Sequence, residues 1–371
     1  MERYFNKVKV DLAALAHNLG QVRKLVGPDV RVMAMVKADG YGHGVARVGK
    51  HLTENGADAL GVMDLHEAAL LRDAGVKAPV YILAGLTPEQ ALEIVDLDLT
   101  PFVYDPGLAK VMDEAARRRN RKIKVQLKID TGMHRLGWLY TQAHSFLETA
   151  AGLKNLEVEG LATHFAEADL KDSAFIQEQL ERFRTAIALG RSLGLALPLN
   201  DAANSAATLT LPQAYFQMVR PGLMLYGDWP AGHMKAKADL RPAMSLTSRI
   251  IQIKTVPAGG TVSYGRTWTA SRATLLATTP LGYIHGYNRL LSNKGWALIR
   301  GRRAPVLGRV CMNLTMFDVT DIPGAAVGDE VLLLGRRGEE IITGQDLADL
   351  IGTISYEVFC QVGSLNHREY I

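Results

Sequence analysis

Short apolar runs alternate with amphipathic stretches along the first two-thirds of this chain, and that rhythm limits the fold more than any other feature. The runs "VMAMVKAD", "ALGVM", "VYILAG", "TPFVYD", "IKVQLKID", "LEVEGLATHF", "LPLNDAAN" and "QMVRPGLMLYG" are nearly continuous in apolar residues, as expected of strands buried on both faces. Between them lie segments with helical spacing, such as "GVARVGKHLTENG", "LHEAALLRDAG" and "LAKVMDEAARRR", and a long helix is predicted from about Ser173 to Leu193. A leading helix precedes the first strand: Leu12, Leu15, Leu19 and Val22 follow a helical period, Asp11 is placed to cap the start and Gly27 to stop the end. This repeated alternation predicts an α/β fold, a closed parallel (β/α)8 TIM barrel, with an open doubly wound sheet as the runner-up.

The segment "DWPAGHMKAKADLRPAM", Asp228 to Met244, breaks the rhythm with Gly, Pro and charge, so a domain boundary is placed there, giving a barrel over 1–238 and a second domain over 239–371. Beyond it, β-branched runs split by glycine turns, such as "SLTSRIIQIKTVPAGGTVSYGRTW" and "DEVLLLGRRGEEIITG", predict a mostly-β unit. The length of 371 residues accommodates one barrel of roughly 250 residues and an appended unit. A formal net charge of +4, without a dense basic tract interleaved with aromatics, argues against a nucleic-acid partner; "RRRNRK" reads as the solvated end of a helix. Cys311 and Cys360 are the only cysteines, so no disulfide framework is expected and a reducing cytoplasm fits. The N-terminus is charged where an export signal needs an apolar run, and no apolar stretch reaches membrane-spanning length, so no membrane partner is expected.

In such a barrel, functional residues lie at the C-terminal ends of the strands. Applied to these runs, that rule gathers Lys37 after strand one, Arg135 after strand five, His164 after strand six, Asn204 and Ser205 after strand seven, and "RPGL" from Arg220 after strand eight. Ser205 with the amides around Gly222 and Leu223 suits a phosphate, because a hydroxyl and approachable N–H groups are what an anion needs. A rim lysine facing such a site suggests a phosphorylated aldehyde held covalently, hence pyridoxal phosphate. No metal-ligand pattern is present.

These residues carry a wider likeness. "MVKADGYGHG", "KIDTGMHRLG", "THFAEAD", "NSAA", "VRPGLMLYG", "LRPAMSL", "SYGRTW", "GYNRLLSN", "GRVCMN" and "SYEVFC" resemble, in order and over about Val8 to Cys360, the motifs of the alanine racemases, fold-type III pyridoxal-phosphate enzymes. The resemblance implies a barrel followed by a β domain, a cytoplasmic homodimer with shared active sites, and interconversion of L- and D-alanine that supplies D-alanine for peptidoglycan. It implies that Lys37 carries the pyridoxal 5'-phosphate, that Tyr41, Ser205, the amides of Gly222 and Leu223, and Tyr356 hold it by its phosphate, and that Asn204 is among the cofactor-binding residues. It further implies that Arg220 approaches the pyridine nitrogen and that His164 packs on the ring and fixes Arg220.

Racemisation requires one base on each face of Cα. The resemblance assigns Lys37 to one face and Tyr264, from the partner's β domain, to the other. Arg135 and the amide of Met312 are the implied carboxylate contacts, Tyr283 would narrow the entrance in favour of a small side chain, and Lys128 stands where a carbamylated lysine orients the arginine in many relatives.

The chain departs from the family pattern at Ile284 and His285, where an Ala-Asp pair is usual, and at Asn313, where an acid is usual. Losing acids near the entrance bears on substrate preference, so a racemase of serine or of broader specificity is the alternative. A two-domain decarboxylase would want an acid at the pyridine nitrogen, and Arg220 argues against it. A cofactor-binding protein without turnover would have no use for a β domain bearing Tyr264 and Met312.

Overall fold

The computed structural model describes residues 4–371 and divides into two compact units. One comprises Leu15–Gly40 and Val45–Leu240; the other comprises, among the described residues, 4–14, Tyr41–Gly44 and Arg241–Ile371.

The first unit is a parallel barrel. Strands Arg31–Met35, Ala59–Val62, Val80–Ile82, Thr100–Val103, Ile123–Asp130 and Leu156–Ala162 pair in parallel in that order. The last strand, Met218–Val219, pairs with Arg31 and Val32 and closes the ring. Valine, isoleucine, leucine and methionine fill these strands because both faces are covered, and Val32, Met33, Leu60, Val80, Val103, Val125 and Leu161 have no or almost no solvent contact.

The seventh position differs from the sequence expectation of a full strand over "LPLNDAAN". Asp201 bridges Ala162 on one side and Met218 on the other, and no longer ladder forms. Two residues account for this. Pro198 lacks an N–H to donate, and Asn200 uses its own side chain: its Oδ1 accepts from Leu161 N at 2.9 Å while its Nδ2 donates to Leu197 O at 2.9 Å. Backbone bonds still seal the seam, from Leu199 N to Glu159 O (2.8 Å), Asp201 N to Leu161 O (3.0 Å) and Thr163 N to Asp201 O (3.1 Å). Gly160 makes this approach feasible, since a Cβ there would collide with the Leu199 carbonyl.

The outer helices start where the sequence supplies caps. Ser173 accepts from Ile176 N and opens helix Ala174–Ser192, Asp105 accepts from Leu108 N and opens Pro106–Arg118, and Asp64 accepts from Glu67 N and opens Leu65–Asp73. "RRRNRK" is the exposed end of Pro106–Arg118, where Arg117 and Arg118 pair with Glu114.

The second unit is mostly antiparallel β. One sheet runs Arg302–Pro305, Trp296–Ile299, Glu330–Arg337, Met244–Arg249, Lys7–Val10 and Arg368–Tyr370, with Glu340–Ile342 on Glu330–Arg337. Lys7–Val10 lies antiparallel to Met244–Arg249 and parallel to Arg368–Tyr370, burying Val8 and Val10 and turning its lysines outward. A smaller sheet of Gln252–Val256, Thr274–Thr279 and Thr315–Asp318 contributes Val256, Leu276 and Met316 to a cluster with Val262, Ala270 and Leu307. Among the described residues no helix is long and apolar enough to cross a membrane.

Candidate active site

The barrel strands end in a ring of cationic side chains. Lys37 follows the first strand, where Met35 N donates to Pro221 O at 3.0 Å and Tyr226 Oη donates to Met35 O at 2.9 Å, so the lysine leaves a backbone fixed to the last strand. Its own backbone then turns left-handed: φ is 54° at Ala38, 52° at Asp39 and 62° at Gly40. Glycine adopts that region freely, but each L-residue there costs about 1–2 kcal/mol. The turn is held from Gly40 N to Val36 O (2.8 Å) and from Val45 N to Asp39 Oδ1 (2.8 Å).

Lys128, two residues before the end of the fifth strand, is buried, and its Nζ lies 5.9 Å from the centre of the Phe102 ring. The Arg220 guanidinium is also 5.9 Å from that ring. Burial, followed by the charges of Arg220 and Arg135, holds the Lys128 amine well below its ordinary value, which favours its neutral form. His164 likewise is held well below the usual imidazole range by burial and then by the charges of Lys128, Arg220 and Arg135. Its ring is neutral at pH 7.

Arg220 is anchored on three sides. Its N donates to Ala203 O at 2.8 Å, its Nη2 to Thr163 O at 2.6 Å, and its guanidinium pairs with Asp201. Burial lowers it to about 9, which leaves it charged at neutral pH. His164 reaches this cluster through the backbone: Thr163, the residue before it, accepts from Arg220, and Gln179 Nε2 donates to His164 O at 3.0 Å.

Asn204 caps the short helix Ser205–Thr210 through Ala207 N, and Ser205 Oγ accepts from Gly222 N at 2.8 Å and from Met224 N at 3.4 Å. A hydroxyl and two amides converge there. Leu223, between them, is buried. Arg135 stands exposed on a loop folded around Asp130, whose Oδ1 accepts from Gly132 N (2.9 Å) and His134 N (3.1 Å). The donor set suits an anionic ligand next to a reachable primary amine, since Lys37 retains partial exposure.

The other unit carries the remaining predicted residues in two groups. Tyr41 and Tyr356 have ring centres 5.9 Å apart, and burial, with the neighbouring Tyr356 and Cys360, raises the Tyr41 phenol so that it remains a proton donor. Tyr283 N donates to Cys311 O (3.0 Å) and Ile284 N to Met312 O (3.2 Å), so Tyr283 and Met312 lie on adjoining segments, both exposed. Tyr264 is 69% exposed. The turn carrying it is fastened by Ser263, whose Oγ donates to Arg309 O at 2.7 Å on the stretch leading to Met312.

Several residues here escaped the sequence reading. Gln179 binds three neighbours: its Nε2 donates to Thr131 Oγ1 (3.2 Å) and His164 O, and its Oε1 accepts from Ala166 N (2.9 Å). Its signal was present, because Gln179 lies on the apolar stripe of Ile176, Leu180 and Phe183 and is fully buried. Asp201 and Phe102 had no such mark.

Among the described residues no group of His, Cys, Asp and Glu could hold a metal ion. Residues 10–230 match the family described as alanine racemase, N-terminal domain, and residues 243–370 match alanine racemase, C-terminal domain. The chain is 43% identical over 367 residues to "Alanine racemase 2" of Caldanaerobacter subterraneus subsp. tengcongensis, covering 98% of this chain and 94% of that one. It is 44% identical over 363 residues to an alanine racemase of Syntrophobacter fumaroxidans, with coverages of 98% and 96%. Among solved structures, alanine racemase from Streptomyces lavendulae superposes with a TM-score of 0.96 at 33% identity, over 100% of this chain and 98% of that one. The enzyme from Streptomyces coelicolor gives 0.94 at 34% identity, with coverages of 99% and 98%. With both domain families matched in order and relatives this similar over nearly the whole length, the chain belongs to the alanine racemase family.

Proposed function

We propose that this protein interconverts L- and D-alanine with pyridoxal 5'-phosphate as its cofactor. The observation that carries the reading is the convergence on one barrel rim of Lys37, the charged Arg220 and the Ser205 hydroxyl with two amides, a donor set matched to a phosphorylated aldehyde. When bound, the cofactor withdraws electrons from the substrate and acidifies its Cα–H.

The chain's own residues supply the rest. Asn204, Ser205, Gly222 and Leu223 would hold the phosphate, joined by Tyr41 and Tyr356, whose phenols donate. Arg220, charged and locked between Asp201 and Thr163 O, would stand at the ring nitrogen and keep it unprotonated, while the neutral His164 packs on the ring. Lys37 would hold the cofactor and then exchange a proton with one face of Cα. Tyr264 of the partner subunit would serve the other face, with Met312 of the partner subunit and Arg135 binding the carboxylate. Tyr283 would narrow the entrance. The lowered pKa of the Lys128 amine favours the neutral form, which is the one that reacts with carbon dioxide with loss of a proton, and a carbamate there would present an anion to Arg135. The resulting enzyme is a homodimer with shared sites, placed in the cytoplasm, and it supplies D-alanine for peptidoglycan.

The second reading is a racemase of serine or of broader specificity, favoured by Ile284, His285 and Asn313 at the places where the resemblance expects Ala, Asp and an acid. One experiment addresses both. Purified holoenzyme in heavy water is given L-alanine or L-serine, and deuterium at Cα is followed with chiral resolution of the product. Rapid exchange with D-alanine formed and serine slow supports the first reading; equal rates support the second; no exchange with either refutes both.

A further inference from the structure

Glu67 lies on helix Leu65–Asp73, in the third position after its cap Asp64. A sequence D-x-x-E ordinarily signals a capping box, with the glutamate reaching back to the cap's own N–H. Here the carboxylate does something else. Its Oε1 accepts from Asp39 N at 2.9 Å and its Oε2 from Met63 N at 2.8 Å, and the residue is buried. Asp39 N belongs to the left-handed turn that immediately follows Lys37, and Met63 N to the backbone leaving the second barrel strand.

We propose that Glu67 is a positioning residue for Lys37, clamping the left-handed turn of Ala38–Gly40 so that the amine is delivered at the rim in one orientation. The inference rests on the cofactor assignment above. Ala38 has no preference for positive φ and Asp39 adopts it only occasionally, so the turn persists largely through what it is bonded to. Gly40 N donates to Val36 O and Val45 N to the Asp39 side chain, while the Asp39 amide itself donates to Glu67, whose other oxygen accepts from Met63 N just past the second barrel strand. Without the carboxylate, this part-buried amide would lose its Glu67 acceptor and the turn would relax toward right-handed backbone, swinging Lys37. The carboxylate would touch neither cofactor nor substrate.

The test compares wild type with E67Q, which keeps the size but offers one acceptor oxygen and places an NH2 against an N–H. Two probes are used on the cofactor-free protein. Pyridoxal 5'-phosphate condenses with the lysine amine, losing one water, and is followed by its visible absorbance; pyridoxine 5'-phosphate has the same ring and phosphate but an alcohol that cannot condense. E67Q is expected to slow condensation about tenfold or more and to lower kcat comparably. Affinity for pyridoxine 5'-phosphate and KM for alanine should stay within about twofold of wild type.

Adding A38G to E67Q should recover most of the condensation rate, since glycine takes the left-handed conformation without help. Should E67Q not fold, E67D serves the same comparison, its shorter carboxylate reaching one amide at a time. Wild-type condensation in the variant, equal loss with both probes, or no recovery with A38G would overturn the proposal. A visible band that persists in K37A would instead overturn the cofactor assignment, and this inference with it.

Discussion

Arg220, at the end of the last barrel strand, pairs with Asp201 on the bridging segment beside it, and the two side chains are 3% and 0% exposed. Removing one partner of such a pair leaves the other charge buried alone, which costs about 3–5 kcal/mol. D201A is therefore expected to lose that much stability in urea unfolding of the cofactor-free protein. D201L/R220M, which removes both charges, should recover most of it, and a double variant no more stable than D201A would show that the pair holds the barrel by more than charge compensation.

His164 gives the fold a pH dependence with a definite sign. Its folded pKa lies well below the ordinary value near 6.5 because of burial and the surrounding cations. As pH falls through about 6.5 the unfolded chain takes up a proton that the folded chain refuses, so stability present above that pH is lost below it, by up to about 1.4 kcal/mol per pH unit. Thermal unfolding of the cofactor-free protein between pH 7.5 and 5 should show this fall, as flagged by linkage. H164Q should lessen the slope, leaving the part that Lys128 and His285, both also lowered by burial, contribute, and an unchanged slope in H164Q would assign the effect to those groups.

Gln179 is the joint between the long helix and two rim loops. Q179L removes the donor to Thr131 and His164 O and the acceptor for Ala166 N. Each buried group left unpartnered costs about 1–3 kcal/mol. Loss of melting temperature, together with faster amide exchange at Ala166, is the expected result; exchange unchanged at Ala166 would place the loss elsewhere.

Two glycine substitutions should act in opposite directions. G160A puts a methyl into the Leu199 carbonyl and is expected to destabilise by about 1–3 kcal/mol or to open the seam. Gly20 lies within helix Leu12–Val26 with open space around it, so G20A should stabilise by about 0.5–1 kcal/mol. Denaturant midpoints of the two variants decide the matter.

Much of this architecture was legible because it rests on local rules. The strand and helix alternation, the cap at Asp11, the start of the long helix near Ser173 and the stop at Gly27 are dictated by periodicity and backbone preference, and the rim residues follow from where those strands end. What stayed hidden depends on distant partners. "KVKV" was not read as a strand, and the leading helix was placed before the first one; four residues carry too little pattern to show that Lys7–Val10 joins Met244–Arg249 and Arg368–Tyr370. The left-handed turn after Lys37 was invisible because Ala38 and Asp39 do not favour it; the acceptor that stabilises it lies on another helix. Asp201 looked like one more strand residue, and its pairing with Arg220 exists only once the ring is formed.

Closure of the barrel joins Arg31 to Met218 and Val32 to Val219, almost the whole unit apart in sequence. Parallel pairings of such long range form late and slowly. Lys37 comes early in synthesis, and Ser205 and Arg220 come only near the end of the barrel segment. A nascent chain thus carries the Lys37 amine long before Ser205 meets the amides of Gly222 and Met224, and a phosphate ligand held there, as proposed above, would be captured only when the last strand docks. Added during refolding, such a ligand would draw the population toward closed rings and act as a template for the slowest step.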